Sequence, residues 1–256
     1  MTASRFEASR AGRRKAWAAL VLLAMAVAVT ASLGRWQLNR AEEKQALLEQ
    51  EEAGRQMPPL RLSSASSPAD LKPWRQAEAS GHWLADRTVL LENRMSGSRP
   101  GFWVVTPLAL DSGAAVAVLR GWLPRPMPDG PVAVETPAGE VTVRGVLLSQ
   151  IPRLLDLARF GGRAQDLPSE WPGSKGEPPR LQNLDLAAYG HAAGLALLPV
   201  VLEQTDAAPD GLGRDWAGPP ANVGTHRGYA LQWFSFAAIA AIAFGVVLVR
   251  TFRSTH

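Results

Sequence analysis

Side chains that commonly perform chemistry are few and scattered in this sequence. The histidines are His82, His191, His226 and His256, and no two of them have the i, i+4 spacing that puts two metal ligands on one helical face. There is no cysteine, which excludes disulfides, thiolate metal sites and cysteine nucleophiles. The motifs H-E-x-x-H, G-x-S-x-G and G-x-x-x-x-G-K-[ST] do not occur either. We therefore expect that the protein is not an enzyme.

His226 differs from the other histidines because a long uncharged run follows it. Gly228 to Val249 are 22 residues without a formal charge. As a helix they would extend about 33 Å, more than the roughly 30 Å hydrocarbon core of a bilayer. Tyr229 and Trp233 lie at the start of the run, where aromatic rings settle at headgroup level. The sequence predicts a transmembrane helix at 228–249 with His226 at its entrance.

The neighbours of His226 share one face of that predicted helix. Tyr229, Ala230 and Trp233 follow it at i+3, i+4 and i+7. A histidine at this position also occurs as an interfacial polar anchor, and Tyr229 and Trp233 also suit an ordinary aromatic belt. The residues alone leave a ligand site and a membrane anchor as alternatives.

A second apolar run lies near the beginning of the chain. Ala16 to Gly34 are 19 uncharged residues, and basic residues precede them. This predicts a transmembrane helix at 16–34; the alternative is a cleaved signal peptide ending near Ala31. The run is longer than the usual apolar region of a signal peptide, about 7–15 residues. Residues 35–53 are rich in helix formers, so we expect the helix to continue through them.

The distribution of charge predicts the orientation. The first 34 residues carry five basic side chains and one acidic one, and the last 29 carry two arginines and no acid. Residues 35–227 have a net charge of −2, so the high pI belongs to the two ends and does not indicate a nucleic-acid-binding surface. Basic flanks favour the cytoplasm. We predict a bacterial inner-membrane protein with both termini cytoplasmic and the middle in the periplasm.

The middle segment has the texture of a mainly-β (α+β) domain. Short runs rich in Val, Leu, Thr and aromatic residues alternate with Gly, Pro, Asp and Ser clusters, which is typical of an antiparallel sheet or small barrel. The predicted strands are Arg75–His82, Thr88–Asn93, Trp103–Leu110, Ala115–Trp122, Glu140–Leu148 and Leu195–Glu203. A short helix with Asn183 or Asp185 as its N-cap is expected to end at Gly194. The Gly/Pro-rich stretch Arg159–Arg180 is predicted to be a mobile loop.

The predicted organisation is therefore two transmembrane α-helices flanking a β-rich periplasmic domain. Its segments are a cytoplasmic basic tail at 1–15, the first span at 16–34, a periplasmic domain at 35–227, the second span at 228–249 and a cytoplasmic tail at 250–256. Within the periplasmic domain we distinguish a helical extension at 35–53, a β-rich body at 75–203 and a linker at 204–227, which contains Gly211-x-Gly213.

Four short motifs occur in order along the chain. They are Gly34-x-Trp36-Gln37-x-x-Arg40; Asn93-Arg94 followed by Pro100-Gly101-x-x-Val104-x-Thr106-Pro107; Arg120-Gly121-Trp122-x-Pro124; and His226-x-x-Tyr229-Ala230-x-Gln232-Trp233-Phe234. In these motifs and in its two predicted spans, the sequence resembles the Surfeit locus protein 1 family of cytochrome c oxidase assembly factors. The likeness covers roughly residues 16–253, and nothing specific aligns at 150–180. Asn93-Arg94, Pro107 and Arg120-Gly121-Trp122 are interpreted as turn and core determinants of the β domain, with partner docking as the alternative.

The resemblance implies a function in building haem-copper oxidases. Members of the family assist the insertion of haem a into the catalytic subunit, and the histidine that opens the second span, here His226, is the family's candidate axial ligand to the haem iron. Tyr229 and Trp233 would lie beside a bound porphyrin, and Arg227 and Arg35 would pair with its propionates. The arginines also suit lipid phosphate.

The resemblance also implies the partners. These are oxidase subunits, chiefly the catalytic one, with the haem a synthesis machinery and membrane lipid in addition and no nucleic acid. The alternative function is a membrane scaffold that docks oxidase subunits during biogenesis without binding haem. A membrane-anchored enzyme of unknown type is the third hypothesis, and the absence of catalytic motifs argues against it.

Overall fold

The computed structural model describes residues 2–111, 113–126, 128, 130–154, 167–168, 171, 176–216, 218 and 223–253. The backbone separates into two units, one formed by both ends of the chain and the other by residues 50–218. The elements in chain order are α1 (Thr2–Gln56), β1 (Leu60–Arg61), β2 (Gln76–Trp83), β3 (Val89–Ser96), β4 (Arg99–Leu110), β5 (Ala115–Pro124), β6 (Glu140–Leu148), β7 (Arg180–Leu181), α2 (Leu186–Ala193), β8 (Leu197–Gln204) and α3 (Val223–Arg253).

The unit formed by the chain ends contains two long helices, α1 and α3. Both are long and apolar enough to cross a membrane, with mean hydropathies of 2.2 and 2.1 in the most apolar stretches of Arg14–Gln56 and Gly224–Arg253. Their large apolar side chains face outward; Leu231 and Ile242 are 70% and 69% exposed. Such a helix is suited to a lipid environment. The two helices therefore indicate a membrane protein.

Helix α1 is continuous through three of the predicted segments, the tail at 1–15, the span at 16–34 and the extension at 35–53. It ends at Gln56, just before Pro58 and Pro59, which lack the N–H that a helix needs. Helix α3 begins at Val223, five residues earlier than predicted. His226 therefore lies inside the first turn of α3. The membrane boundaries and the location of the tails stay predictions.

Five strands of the second unit close into a ring. β2 pairs with β6, β6 with β8, β8 with β5, β5 with β4, and β4 again with β2. The closing pairing joins Gly81 to Leu110 and Trp83 to Leu108. Only glycine allows this approach, because a Cβ on Gly81 would lie 1.9 Å from the carbonyl oxygen of Ala109. The sequence predicted either an antiparallel sheet or a small barrel, and the ring makes the domain barrel-like. A closed ring has no free strand edges.

The six predicted strands correspond to β2–β6 and β8, but the arrangement is not purely antiparallel. β8 is antiparallel to β6 and parallel to β5. Strands joined by a short turn pair antiparallel, as β4 and β5 do. β8 instead follows the long connection that contains α2 and fills the remaining gap in the ring. Its direction is therefore set by ring closure and not by a hairpin.

Apolar side chains fill both faces of the ring wall. Inside the ring, Leu108, Val118 and Leu202 are completely buried. On the outer face, Leu119 and Val201 pack in a second cluster with Tyr189 of α2. Burial of each such large side chain contributes about 1.5–3 kcal/mol. The outer cluster holds α2 against the barrel.

The ends of α2 agree with the sequence prediction. Of the two predicted N-caps, Asp185 is the one used, since its Oδ1 accepts a hydrogen bond from the backbone N–H of Ala188 at 2.9 Å. Gly194 ends the helix with φ 68°, a left-handed conformation that favours glycine. Asn183 instead fixes the chain at Leu154 through two hydrogen bonds of 2.7 and 2.9 Å.

The Asn93-Arg94 motif is a turn and core determinant, as interpreted from the sequence. Asn93 has φ 61° at an irregularity in the pairing of β3 with β4. Next to this bulge the Arg94 side chain is buried, and its guanidinium stacks on Trp103 at 4.3 Å. Its guanidinium donates to the carbonyl oxygens of Pro152 and Gln182. Burial lowers the pKa of Arg94 to about 10, so the side chain stays charged at neutral pH.

A buried ion pair holds together the end of the barrel at the Arg120-Gly121-Trp122 motif. Arg120 is completely buried and donates to Asp210 at 3.2 Å, and Arg214 donates to the same carboxylate oxygen at 2.6 Å. Burial lowers the pKa of Arg120, and the negative charge of Asp210 opposes that shift. The guanidinium of Arg120 also lies 4.8 Å from the ring of Trp83.

The residues that complete this ion pair come from the segment predicted to be a linker, 204–227. Asp210 and Leu212 are buried, and the backbones of Gly213 and Trp122 exchange two hydrogen bonds of 2.7 and 2.9 Å. A Cβ on Gly121 would lie 2.6 Å from the Cβ of Leu212. Residues 210–214, which we call the strap, are therefore packed on the barrel. Sequence reasoning missed this because Gly and Pro are frequent in linkers and in close-packed turns alike.

The predicted mobile loop Arg159–Arg180 lies mostly outside the described residues. Arg180 belongs to β7, which pairs with β3. Trp171 packs against Tyr189 of α2, with 5.8 Å between ring centroids, and donates from its Nε1 to the carbonyl oxygen of Ala192.

Replacing Asp210 by asparagine is expected to destabilise the barrel strongly. The substitution leaves the guanidinium of buried Arg120 without a counter-charge, which costs about 3–5 kcal/mol. Urea denaturation of the full chain in detergent, followed by tryptophan fluorescence, measures this loss. The matched control is Glu78→Gln, which removes an ion pair with exposed Arg61 and Arg144 and is expected to leave the midpoint unchanged. Equal effects of the two variants would contradict the importance assigned to the strap.

Candidate functional site

The candidate site is a contact between α1 and α3. The Nδ1 atom of His226 lies 2.8 Å from the Oε1 atom of Gln37. These residues are 189 positions apart in the sequence, and each belongs to one of the motifs of the terminal helices. His226 is partly buried, as is Gln37. The contact therefore joins the first and the last motif of the chain at one place.

The hydrogen bond determines which nitrogen of His226 carries the proton. With the Gln37 amide placed so that its Oε1 faces the ring, Nδ1 of His226 is the donor, because an amide oxygen only accepts. In the neutral ring, Nε2 then has a free lone pair. Because Nδ1 faces α1, Nε2 on the other side of the ring points away from it. Imidazole in this form is the usual nitrogen ligand of a metal ion or haem iron.

Small buried residues flank the contact on both helices. On α1, Gly34 and Ala41 precede and follow Gln37 by three and four residues, and Ala41 is 1% exposed. On α3, Ala230 follows His226 by four residues and is also 1% exposed. A Cβ on Gly34 would lie 2.9 Å from the ring of Phe234. Small residues of this kind allow two helix backbones to approach closely.

The other predicted site residues are placed as follows. Tyr229 is 48% exposed and Arg227 is exposed, both within one turn of His226. Trp233 is partly buried and packs edge-on against Phe236, with 6.0 Å between ring centroids. Arg35 is exposed and lies two residues from Gln37 on α1. At about 100° per helical residue, it therefore points to a different side of α1 from Gln37.

The structure thus brings His226, Tyr229 and Trp233 to one helical face and leaves Arg35 away from it. Ala230 lies on that face too, but its burial leaves no open space over it. The residue that sequence reasoning missed is Gln37. Its position in the Gly34-x-Trp36-Gln37 motif was available as a signal, but one sequence does not reveal a contact across 189 positions.

The site offers one nitrogen ligand. Within the parts of the chain that the structure describes, no group of three or more His, Cys, Asp or Glu side chains is arranged to hold a metal ion. A porphyrin brings most of the donors to its own metal and needs few from the protein. The single nitrogen of His226 would therefore suit a porphyrin better than a bare metal ion.

The barrel unit contains a separate cavity of about 420 Å³. It lies beside α2 and is lined by apolar residues such as Ile151 and Leu198, with Arg153 and His191 as polar members. None of the predicted site residues lines it. Its mixed lining does not point to one chemical class of ligand.

Glu203 is a carboxyl group in the wall of the barrel. It lies on β8 beside Leu119 of β5 and Val146 of β6. Burial raises the pKa of Glu203 from 4.5 to about 7. No ion pair with another described residue offsets this effect. Glu203 therefore takes up a proton near neutral pH.

Fold and site together define a class of protein in which two helices, each long and apolar enough to cross a membrane, flank a β-barrel domain in the sequence. The SURF1 family model matches residues 24–238. The chain belongs to the SURF1 family. That match includes all four motifs in full.

Individual relatives agree with this assignment. The chain is 26% identical over 239 residues to an uncharacterised SURF1-like protein of Mycobacterium tuberculosis, covering 91% of this chain and 83% of that protein. It is 34% identical over 92 residues to a SURF1-like protein of Rickettsia bellii, covering 35% and 37% of the two chains. It is 35% identical over 127 residues to Surfeit locus protein 1 of Arabidopsis thaliana, covering 44% and 35%. The chain thus spans about two fifths of the Rickettsia relatives it matches.

Replacing Glu203 by glutamine is expected to remove a pH dependence of stability. Above pH 4.5 the unfolded chain ionises Glu203 while the folded chain keeps it protonated up to about pH 7, so stability falls as pH rises through this window. The partly exposed position limits the loss to about 1–2 kcal/mol. Urea midpoints at pH 5 and pH 8 measure it. A Glu203→Gln variant with the pH dependence of the parent would contradict the assignment.

Proposed function

We propose that the protein is an assembly factor for a haem-copper cytochrome c oxidase. In this proposal it assists the insertion of haem a into the catalytic subunit by binding the haem transiently at His226. Membership of the SURF1 family supports the role in oxidase assembly. The observation that carries the haem proposal is the hydrogen bond between His226 Nδ1 and Gln37 Oε1, because it leaves Nε2 free, and that nitrogen would hold the haem iron.

The surroundings of His226 assign roles to the other candidate residues. Haem supplies an iron centre that accepts an imidazole nitrogen, and its propionates carry negative charge. Arg227, exposed next to His226, is the nearest candidate to pair with a propionate. Tyr229 is available on the exposed flank of the same face, whereas Trp233 is already packed against Phe236. Arg35 points elsewhere on α1 and is better suited to lipid phosphate.

A single axial histidine on a protein surface suits a carrier. The site we propose encloses little of the porphyrin. Tyr229 is 48% exposed and so forms no closed wall, and Ala230 is already covered by other residues and leaves no pocket. Affinity then depends mainly on one coordinate bond and on the charge of Arg227. Such a site is able to transfer its cargo, whereas a resident cofactor needs a deeper pocket.

The proposal also includes location and partners. We place the protein in the bacterial inner membrane, with both termini cytoplasmic and the barrel periplasmic, as the basic ends favour. Its partners in this scheme are oxidase subunits, chiefly the catalytic one, and the enzymes that make haem a. The protein itself needs no catalytic group for this function.

Substituting His226 by alanine tests haem binding. The full chain, purified in detergent from cells that make haem a, is expected to show a Soret band that the His226→Ala variant lacks. His82→Ala is the matched control, because His82 is an exposed histidine on β2 of the barrel unit. A colourless parent protein that still restores oxidase assembly would favour the alternative, a scaffold that docks subunits without haem.

The location of the barrel is testable because the chain has no cysteine. Ser98, at the exposed tip between β3 and β4, is replaced by cysteine, and a second variant carries Ser254→Cys near the C-terminus. A membrane-impermeant maleimide added to intact spheroplasts is expected to label Ser98→Cys and to spare Ser254→Cys. The reverse pattern would exclude a periplasmic barrel and the proposed function with it.

A further inference from the structure

We infer that Gln37 is the positioning residue of the candidate haem site: its side-chain amide holds His226 in the Nδ1–H tautomer and presents Nε2 to the ligand. This inference rests on the proposed function for the identity of the ligand. The contact that carries it is the 2.8 Å hydrogen bond between Gln37 Oε1 and His226 Nδ1.

The environment of the pair restricts the movement of both side chains. Gly34 and Ala41 bracket Gln37 on α1, and Ala230 lies one turn after His226 on α3. Ala41 and Ala230 are each 1% exposed, so the helix surfaces next to the pair are covered. A histidine ring that is hydrogen-bonded and partly buried has fewer orientations open to it than a ring in solvent. Gln37 therefore determines both the proton position and the direction of Nε2.

An amide acceptor also has a chemical consequence for the ligand. A partner on the second ring nitrogen raises the basicity of a ligating histidine, and a carboxylate does so most strongly. Gln37 is neutral, so it orients the imidazole but adds little to its donor strength. A neutral partner of this kind would let His226 hold the haem without binding it as tightly as a carboxylate-paired histidine would. A glutamate at position 37 is expected to hold the haem more tightly and to slow its release.

The tautomer of His226 is measurable without haem. In the full chain with ¹⁵N-labelled histidine, long-range ¹H–¹⁵N spectra distinguish the Nδ1–H from the Nε2–H form, and His226→Ala identifies the signal. We expect the Nδ1–H form in the parent and in Asn39→Leu, the matched control, whose amide is exposed on α1. Gln37→Leu is expected to shift His226 to the Nε2–H form. The same tautomer in Gln37→Leu as in the parent would overturn the inference.

The second readout uses ferric and ferrous protoporphyrin IX added to the same proteins. Removal of a partner of a ligating histidine weakens metal binding about 10–100-fold, so Gln37→Leu is expected to bind haem at least about tenfold more weakly than Asn39→Leu. Gln37→Glu is expected to bind more tightly and to raise the iron–histidine stretching frequency of the ferrous complex. Equal affinity and frequency in all variants would overturn the positioning role.

The two measurements separate the inference from the proposed function. A tautomer that changes in Gln37→Leu, together with no haem binding by any variant, supports the orientation of His226 by Gln37 and overturns haem carriage. Circular dichroism of each variant shows whether the helices are intact, and Gln37→Glu keeps an acceptor at position 37 if Gln37→Leu does not fold. An unchanged tautomer in folded Gln37→Leu rejects the inference whether or not haem binds.

Discussion

The barrel depends on close approach of strand backbones at the points where the ring closes. At Gly81 a Cβ would lie 1.9 Å from the carbonyl oxygen of Ala109, and at Gly145 it would lie 1.9 Å from that of Glu203. Both glycines are on strands that seal the ring, β2 against β4 and β6 against β8. Any side chain there would separate the strands, open the ring and expose its apolar interior. The cluster around Leu108 and Leu202 exists only because these two positions are glycine.

Closure creates a second requirement at the end of the ring. Val116 and Val118 of β5 point into the ring, and Arg120 follows them two residues later. A charged side chain is therefore buried at the end of the apolar interior. The strap supplies Asp210 to neutralise it, and Arg214 shares the same carboxylate. A buried ion pair contributes little to stability by itself, but a buried charge without a partner costs several kcal/mol. The arrangement therefore makes docking of the strap obligatory for this barrel.

Sequence reasoning predicted the elements well and their pairing less well. Runs of strand-forming residues between turn clusters placed six strands, and Asp185 and Gly194 marked the ends of α2, because these signals are local. The parallel pairing of β5 with β8 was missed, since it depends on which gap is left when the ring closes. The strap was missed for a related reason: Asp210 has meaning only beside Arg120, 90 residues away. Two-residue strands such as β1 and β7 are too short for any pattern.

The same distinction applies to the candidate site. Helical spacing correctly grouped Tyr229 and Trp233 with His226 on one face of α3. It did not predict which side of α1 faces α3, because the rotation of α1 toward α3 is a tertiary property. Nor did it reveal that Ala230 is buried in the helix pair. From the sequence alone, the candidate site residues lay on two separate helices. The contact between Gln37 and His226 shows where those helices meet.

The separation of those two residues by 189 positions has a consequence for biogenesis. Synthesis runs from the N-terminus, so Gln37 leaves the ribosome long before His226. The whole barrel is translated between the two residues, and α3 emerges from the ribosome only after it. A nascent or truncated chain thus has Gln37 without an imidazole beside it. The contact between Gln37 and His226 can therefore form only after the barrel has been translated and α3 has packed against α1.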